Sequence, residues 1–166
     1  MAATFAWAQS FGAGPTVTSL GLSGNLFNYK RVDNATAANY STNPVPAGGR
    51  SYEVWLRMKF TGSFNNVSNL QFWKSTDFSP STGLHVRWRP QNTSTYVQST
   101  TGTAKCVSAV PTSDPGAANI GVGSNPSGSL AASGYSNYIV TQLATCSTAA
   151  AGDTSLAIFT ANYDES

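Results

Sequence analysis

Residues 51–61 read Ser-Tyr-Glu-Val-Trp-Leu-Arg-Met-Lys-Phe-Thr, with Tyr52, Val54, Leu56, Met58 and Phe60 alternating with Ser51, Glu53, Trp55, Arg57, Lys59 and Thr61. Strict alternation throws successive side chains to opposite sides of an extended chain, whereas a helix would scatter the same apolar residues around its circumference. The stretch therefore predicts a half-buried β-strand. Its first set of side chains faces a core, and its second faces water or a partner.

The neighbouring segments carry the same period. In Gly83–Arg89, Leu84, Val86 and Trp88 oppose His85, Arg87 and Arg89, and Pro90, which has no N–H to give a ladder, ends the run. Val67–Lys74 sets Leu70 and Phe72 against Gln71 and Trp73. Turn-forming clusters separate the three, at Gly62–Asn66 and at Ser79–Gly83. Downstream, Tyr135–Cys146 reads as one long strand and Thr154–Tyr163 as the last. Thr4–Trp7, Thr16–Leu22 and Asn25–Val32 are shorter candidates, and Thr95–Gln98 and Lys105–Val110 are weaker still. Strand signals this closely spaced, with Gly, Pro and Asn between them, predict an all-β fold. The expectation is an antiparallel β-sandwich or jelly roll of roughly eight strands. Residues 1–15 read as an N-terminal arm or edge strand, and 16–166 as a single β-sandwich domain. Two long polar stretches, 33–50 and 111–134, read as loops.

Composition narrows the class. Charged residues make up 10% of the 166, and the formal net charge is +2. Globular chains typically carry about 25% charged residues. Ser, Thr, Asn and Gly supply the polarity instead, through short-range hydrogen bonds with little long-range field. Nothing in that charge calls for nucleic acid or an acidic membrane. No run of apolar residues is long enough for a transmembrane helix. The opening Met1–Trp7 lacks the basic and apolar regions of a signal peptide, so synthesis in a cytoplasm is expected. In that compartment Cys106 and Cys146 are expected as reduced thiols rather than a disulfide. Two distant cysteines and one histidine do not make a metal site, and no cofactor motif is present.

Catalytic signals are sparse. His85, the single histidine, shares a strand face with Arg87 and Arg89, which would attract anions rather than orient a Ser-His-Asp triad. Gly21-Leu22-Ser23-Gly24 lacks the spacing of a nucleophile elbow. Of the seven carboxylates, Asp33, Asp77, Asp114 and Asp153 sit where aspartate commonly closes turns, and Asp164 and Glu165 lie at the end of the chain. Glu53 shares a strand face with Trp55 and Arg57 and reads as an ion-pair or contact residue. No catalytic residue is assigned. The basic and aromatic strand faces carry more information. Trp55, Trp73 and the basic residues Arg57, Lys59, His85, Arg87 and Arg89 share one sheet face if their strands are neighbours. Trp and Arg are the usual anchors of protein interfaces, although a tryptophan filling space under a loop would give the same pattern.

Certain strings carry a resemblance. Tyr52-x-Val54-x-Leu56-x-Met58 is followed by Val67-Ser68-Asn69-Leu70-Gln71-Phe72-Trp73 and Thr82-Gly83-Leu84-x-Val86, and later by Tyr138–Leu143 and Leu156–Glu165. Over residues 51–89 and 135–165 this apolar spacing resembles the head-decoration, or cement, proteins of tailed bacteriophages, minor virion structural proteins with a β-sandwich fold. The resemblance implies a non-enzymatic clamp on the surface of an assembled icosahedral capsid. It also implies the major capsid protein as partner and a homotrimer as the working form. An apolar N-terminal arm is costly to leave in water, so Phe5 and Trp7 are expected to pack onto the shell or a sister subunit. With Trp55, Arg57, Arg87 and Arg89 they form the expected contact set. Two rivals remain. One is a carbohydrate- or receptor-binding module stacking sugar on Trp55 or Trp73. The other is a hydrolase that brings two of Asp33, Asp77, Asp114 and Asp153 together.

Overall fold

A strand that is oily on one side needs a second oily surface to cover it, and in the computed structural model two antiparallel sheets supply those surfaces to each other. The structure describes residues 2–22, 27–35, 41–79, 82–90, 94–123, 125, 127–150 and 156–166. Among them the strands are β1 (Thr4–Phe11), β2 (Thr16–Leu20), β3 (Val54–Thr61), β4 (Val67–Thr76), β5 (Leu84–Pro90), β6 (Ser108–Ala109), β7 (Gly134–Tyr135), β8 (Ile139–Thr145) and β9 (Ile158–Glu165). No helix occurs among the described residues. The larger sheet runs β2-β1-β3-β8-β5-β6, with β7 also on β3, and β4 pairs with β9 in the smaller. The protein is all-β and sandwich-like.

The alternation of residues 51–61 is realised. Val54, Leu56, Met58 and Phe60 enter the main core, joined by Val86 and Trp88 of β5 and by Ile139 and Leu143 of β8. From the smaller sheet come Val67, Leu70 and Phe72, backed by Phe159, Ala161 and Tyr163. Burying one such side chain contributes about 1.5–3 kcal/mol. Phe72 sits at the centre, stacked on Phe159 at 10° and 5.5 Å, edge-on to Trp7 and tilted against Trp88.

Val67 and Leu70 are both fully buried although three residues apart, a spacing an unbroken strand cannot give. Asn69 resolves this. Its φ of +52° forms a bulge between Ser68 and Gln71 and resets the register against β9. The outer edge of β4 is sealed by Pro111, Asn119, Ile120 and Leu130 of the polar stretch instead of another strand. Asn119 accepts from Phe72 N at 2.9 Å and donates to Phe72 O at 2.8 Å, while the amides of Asn119 and Ile120 donate to Leu70 O. One side-chain amide thus does the work of a strand residue.

Several expectations are corrected. Thr4–Phe11 is neither an arm nor an edge, because it pairs with β2 on one side and β3 on the other. The long strand expected over Tyr135–Cys146 is broken at Ser136–Tyr138, where Ser136 accepts from Met58 N through its hydroxyl and donates its own N–H to Met58 O. Thr95–Gln98 forms no strand, and neither do residues 27–32. Residues 25 and 26 of the Asn25–Val32 candidate lie outside the described residues, as do Thr154 and Ser155 of the last strand and Asp153 among the candidate acids.

Candidate functional site

The outer face of the larger sheet carries most of the expected contact residues, but β3 and β5 are not neighbours. β8 lies between them, so the line across the sheet runs Trp55, Val140, Arg89. The side chains still meet above Val140, where the Arg89 guanidinium lies 5.2 Å from the Trp55 ring centre.

This face is not open. Residues 94–107 fold over it, and Trp55 is 2% exposed in a second cluster with Cys106, Tyr138 and Val140, flanked by Tyr96. Tyr96 and Tyr138 stand edge-on to the indole at 5.3 and 5.1 Å. Ser99 accepts from Glu53 N through its hydroxyl, Arg50 donates to Cys106 O, and one side chain makes several further ties. Gln142 Oε1 accepts from Lys105 N and Cys106 N, and its amide nitrogen donates to Thr103 O and Ser51 O. Tryptophan at a formally outward position is therefore explained by a loop above it. Trp55 offers no platform to a partner or sugar.

Arg57 is enclosed too, its guanidinium 4.3 Å from the ring centres of both Tyr135 and Tyr138. Arg89 donates from Nε and Nη2 to one oxygen of Glu53, at 2.9 and 2.8 Å. The Glu53 side chain is 1% exposed and that of Arg89 is 32% exposed. Arg87 is half-buried on β5, in register with Gln142 on one side and Ala109 on the other. Phe5 and Trp7 lie in the main core, Phe5 packing on Trp7, Phe60 and Tyr163. Alternation along β1 sends these two inward, so they cannot reach out to a shell.

Sequence reading missed the polar chemistry at the ends of this face. Gln9, Lys30, Asp33, Tyr52 and Glu53 line a small recess beside the start of β3. Glu53 Oε2 and Gln9 Oε1 are buried there with no hydrogen-bond partner among the described residues. Burial lowers the Lys30 pKa, an effect that Asp33 opposes. Asp33 accepts from Gly12 N and from Tyr96 OH at 2.9 Å. Burial, with Asp33 adding to it, raises the Tyr96 pKa. Burial also pushes the Cys106 thiol up to about 12, with the Glu53 carboxylate adding to the effect. The other acids serve separate places. Burial would raise Asp77, but its hydrogen bonds from Lys74 and Phe78 N hold it below the ordinary carboxylate value. Asp114 closes its own turn by accepting from Gly116 N.

A second outer surface lies on the smaller sheet. Gln71, Trp73 and Ser75 of β4 oppose Thr160 and Asn162 of β9. Of the four tryptophans, Trp7, Trp55 and Trp88 are buried and Trp73 keeps a partly wet ring. Around it Asn162 donates to Gln71 Oε1, Asn69 to Asp164, and Thr160 to Ser75.

Elsewhere the exposed large apolar side chains gather at strand margins and loops: Val17 on the edge strand β2 and Leu22 just past it, Leu156 and Ile158 at the start of β9, and Val97 and Val107 on the covering loop. Comparison of the chain with protein-family models, with curated proteins and with solved structures finds no match.

Proposed function

We propose that this chain is a virion structural protein that docks on an icosahedral shell and stabilises it, working as a homotrimer. One observation supports the reading. Three of the four tryptophans are packed into two buried clusters, Arg57 and Arg89 lie against aromatic rings, and Val17, Leu22, Leu156 and Ile158 are exposed at the sheet margins. A sparsely charged exterior with apolar margins suits attachment by area rather than by chemistry. A stable contact needs about 1,000 Å² or more, and three linked copies turn modest contacts into high avidity. The docking residues are then Val17, Leu22, Leu156 and Ile158 rather than Trp55 or Trp7. Native mass and co-sedimentation with assembled capsids test this. A trimer that pellets with shells supports the reading, and so does loss of pelleting in Leu22→Asp and Ile158→Asp. A monomer that stays in the supernatant at every shell concentration refutes it.

A second reading is favoured by the Trp73 surface. A partly exposed indole ringed by amides and hydroxyls suits stacking and hydrogen bonding of a sugar ring. Because the other three tryptophans are buried, a fluorescence change on adding sugar at millimolar concentration would report on Trp73. Trp73→Ala should abolish it. No change across a glycan panel removes this reading.

A further inference from the structure

We propose that Cys146 is a site of reversible thiolation by small anionic disulfides, with His85 as the proton acceptor. The two cysteines have opposite surroundings. Cys106 is fully buried, its sulfur 3.6 Å from Val140 O and 3.8 Å from Glu53 Oε1, with no route to a reagent. Cys146 is half-buried, and its Sγ lies 3.5 Å from His85 Nε2.

The local backbone holds that pair in place. Cys146 follows β8 directly, where Thr145 is in register with Leu84, so the cysteine emerges beside the first residues of β5. Its N–H donates to Gly83 O at 2.7 Å, and its carbonyl accepts from Gly48 N and Ala149 N at 3.0 Å each. Gly83 has φ +74°, and a Cβ there would stand 3.1 Å from Ala149. The approach of the two turns that sets sulfur against imidazole therefore requires glycine.

The surrounding charge selects the reagent. His85 and Arg87 project from one face of β5, and Arg50 flanks Ala144 on the side opposite His85. Asp77 also interacts with His85, but it is already paired with Lys74 at 2.7 Å. This end of the face is positive on balance and favours an anionic disulfide over a cationic one.

The disulfide reagent is itself the two-electron oxidant. As the Cys146 sulfur attacks one sulfur of the disulfide, its S–H bond breaks and the proton passes to His85 Nε2. A new S–S bond forms while that of the reagent breaks. The departing thiolate takes the proton back from the imidazolium. Cys146 is oxidised to a mixed disulfide and the leaving half is reduced to a thiol. The reverse exchange restores the cysteine.

The test uses the full chain, glutathione disulfide as the anionic reagent and cystamine as the cationic one, with intact mass and peptide mapping as readout. The expected result is one adduct per chain on Cys146, kept in Cys106→Ser and lost in Cys146→Ser. His85→Gln should slow its formation by roughly tenfold or more, the scale of a positioned proton acceptor. In the unmodified protein glutathione disulfide should react faster than cystamine at low salt, with the gap closing at high salt. An adduct on Cys106, a disulfide-linked dimer in its place, no adduct, an unchanged rate in His85→Gln, or equal rates for the two reagents would each overturn the proposal. The comparison of reagents needs no variant, so it holds even if a substitution disturbs folding.

Discussion

Replacing Arg89 with alanine tests the electrostatics of the covered face. The substitution strands the Glu53 carboxylate, which is 1% exposed and has Oε2 already without a donor among the described residues. Removing one partner of a buried ion pair costs about 3–5 kcal/mol. Arg89 keeps 32% of its side chain in water, and screening reduces that figure to about 2–3 kcal/mol. Losing the guanidinium over Trp55 adds about 0.5–1 kcal/mol. The expected total is therefore about 3 kcal/mol. At about 2–4 °C per kcal/mol for a chain of this length, the melting temperature should fall by roughly 6–12 °C. Glu53→Gln removes the buried charge yet keeps an acceptor for Arg89, which can also turn to water, so it should lie within about 1 kcal/mol of the parent. Urea unfolding monitored by tryptophan fluorescence gives both numbers. A loss below about 1 kcal/mol for Arg89→Ala, or equal losses for the two variants, refutes this account of the pair.

Asn119→Ala should cost about 2–6 kcal/mol in urea unfolding, because it leaves both Phe72 N–H and Phe72 C=O unpartnered at about 1–3 kcal/mol each; a loss under about 0.5 kcal/mol would show that the edge is sealed by something else. Asn69→Val should lose about 1–2 kcal/mol by forcing a β-branched residue to positive φ, while Asn69→Gly should be nearly neutral; equal losses would count against the bulge. Stability should also fall on the alkaline side. The Cys106 thiol moves from 9.0 unfolded to about 12 folded, so between those values the unfolded chain releases a proton that the folded chain keeps. The stabilisation is complete below pH 9 and declines by up to about 1.4 kcal/mol per pH unit. Cys106→Ala should flatten that slope in chemical unfolding followed across pH, and an unchanged slope would remove the thiol as a cause.

The strands that could be read from residues alone are those whose two faces differ strongly in polarity. β3 and β5 announce themselves because every second residue is oily and the others, Trp55 excepted, are mostly charged or polar. β1 is harder to read, because Ala6 between Phe5 and Trp7 and Ala8 after them give no polar face to mark the outside. The cover over Trp55 left no local trace. Residues 94–107 hold the sheet through hydrogen bonds to Gln142 and ring contacts from Tyr96, and neither has a period along the chain. The hint was Trp55 itself, too large and oily for an open outward position. The Cys146–His85 contact joins residues 61 apart and depends on which strands become neighbours. Alternation decides which face a residue takes, but not which strand lies beside it.

Gln142 has one further consequence. Because three hydrogen bonds of the covering loop, together with one to Ser51 O, converge on one fully buried amide, the loop cannot peel away residue by residue. Releasing any part of it strands the rest, so detachment should be a single cooperative event coupled to opening of the sheet itself. In hydrogen–deuterium exchange the amides of Lys105 and Cys106 should therefore share the slow clock of the central strands, although they belong to a segment without regular secondary structure.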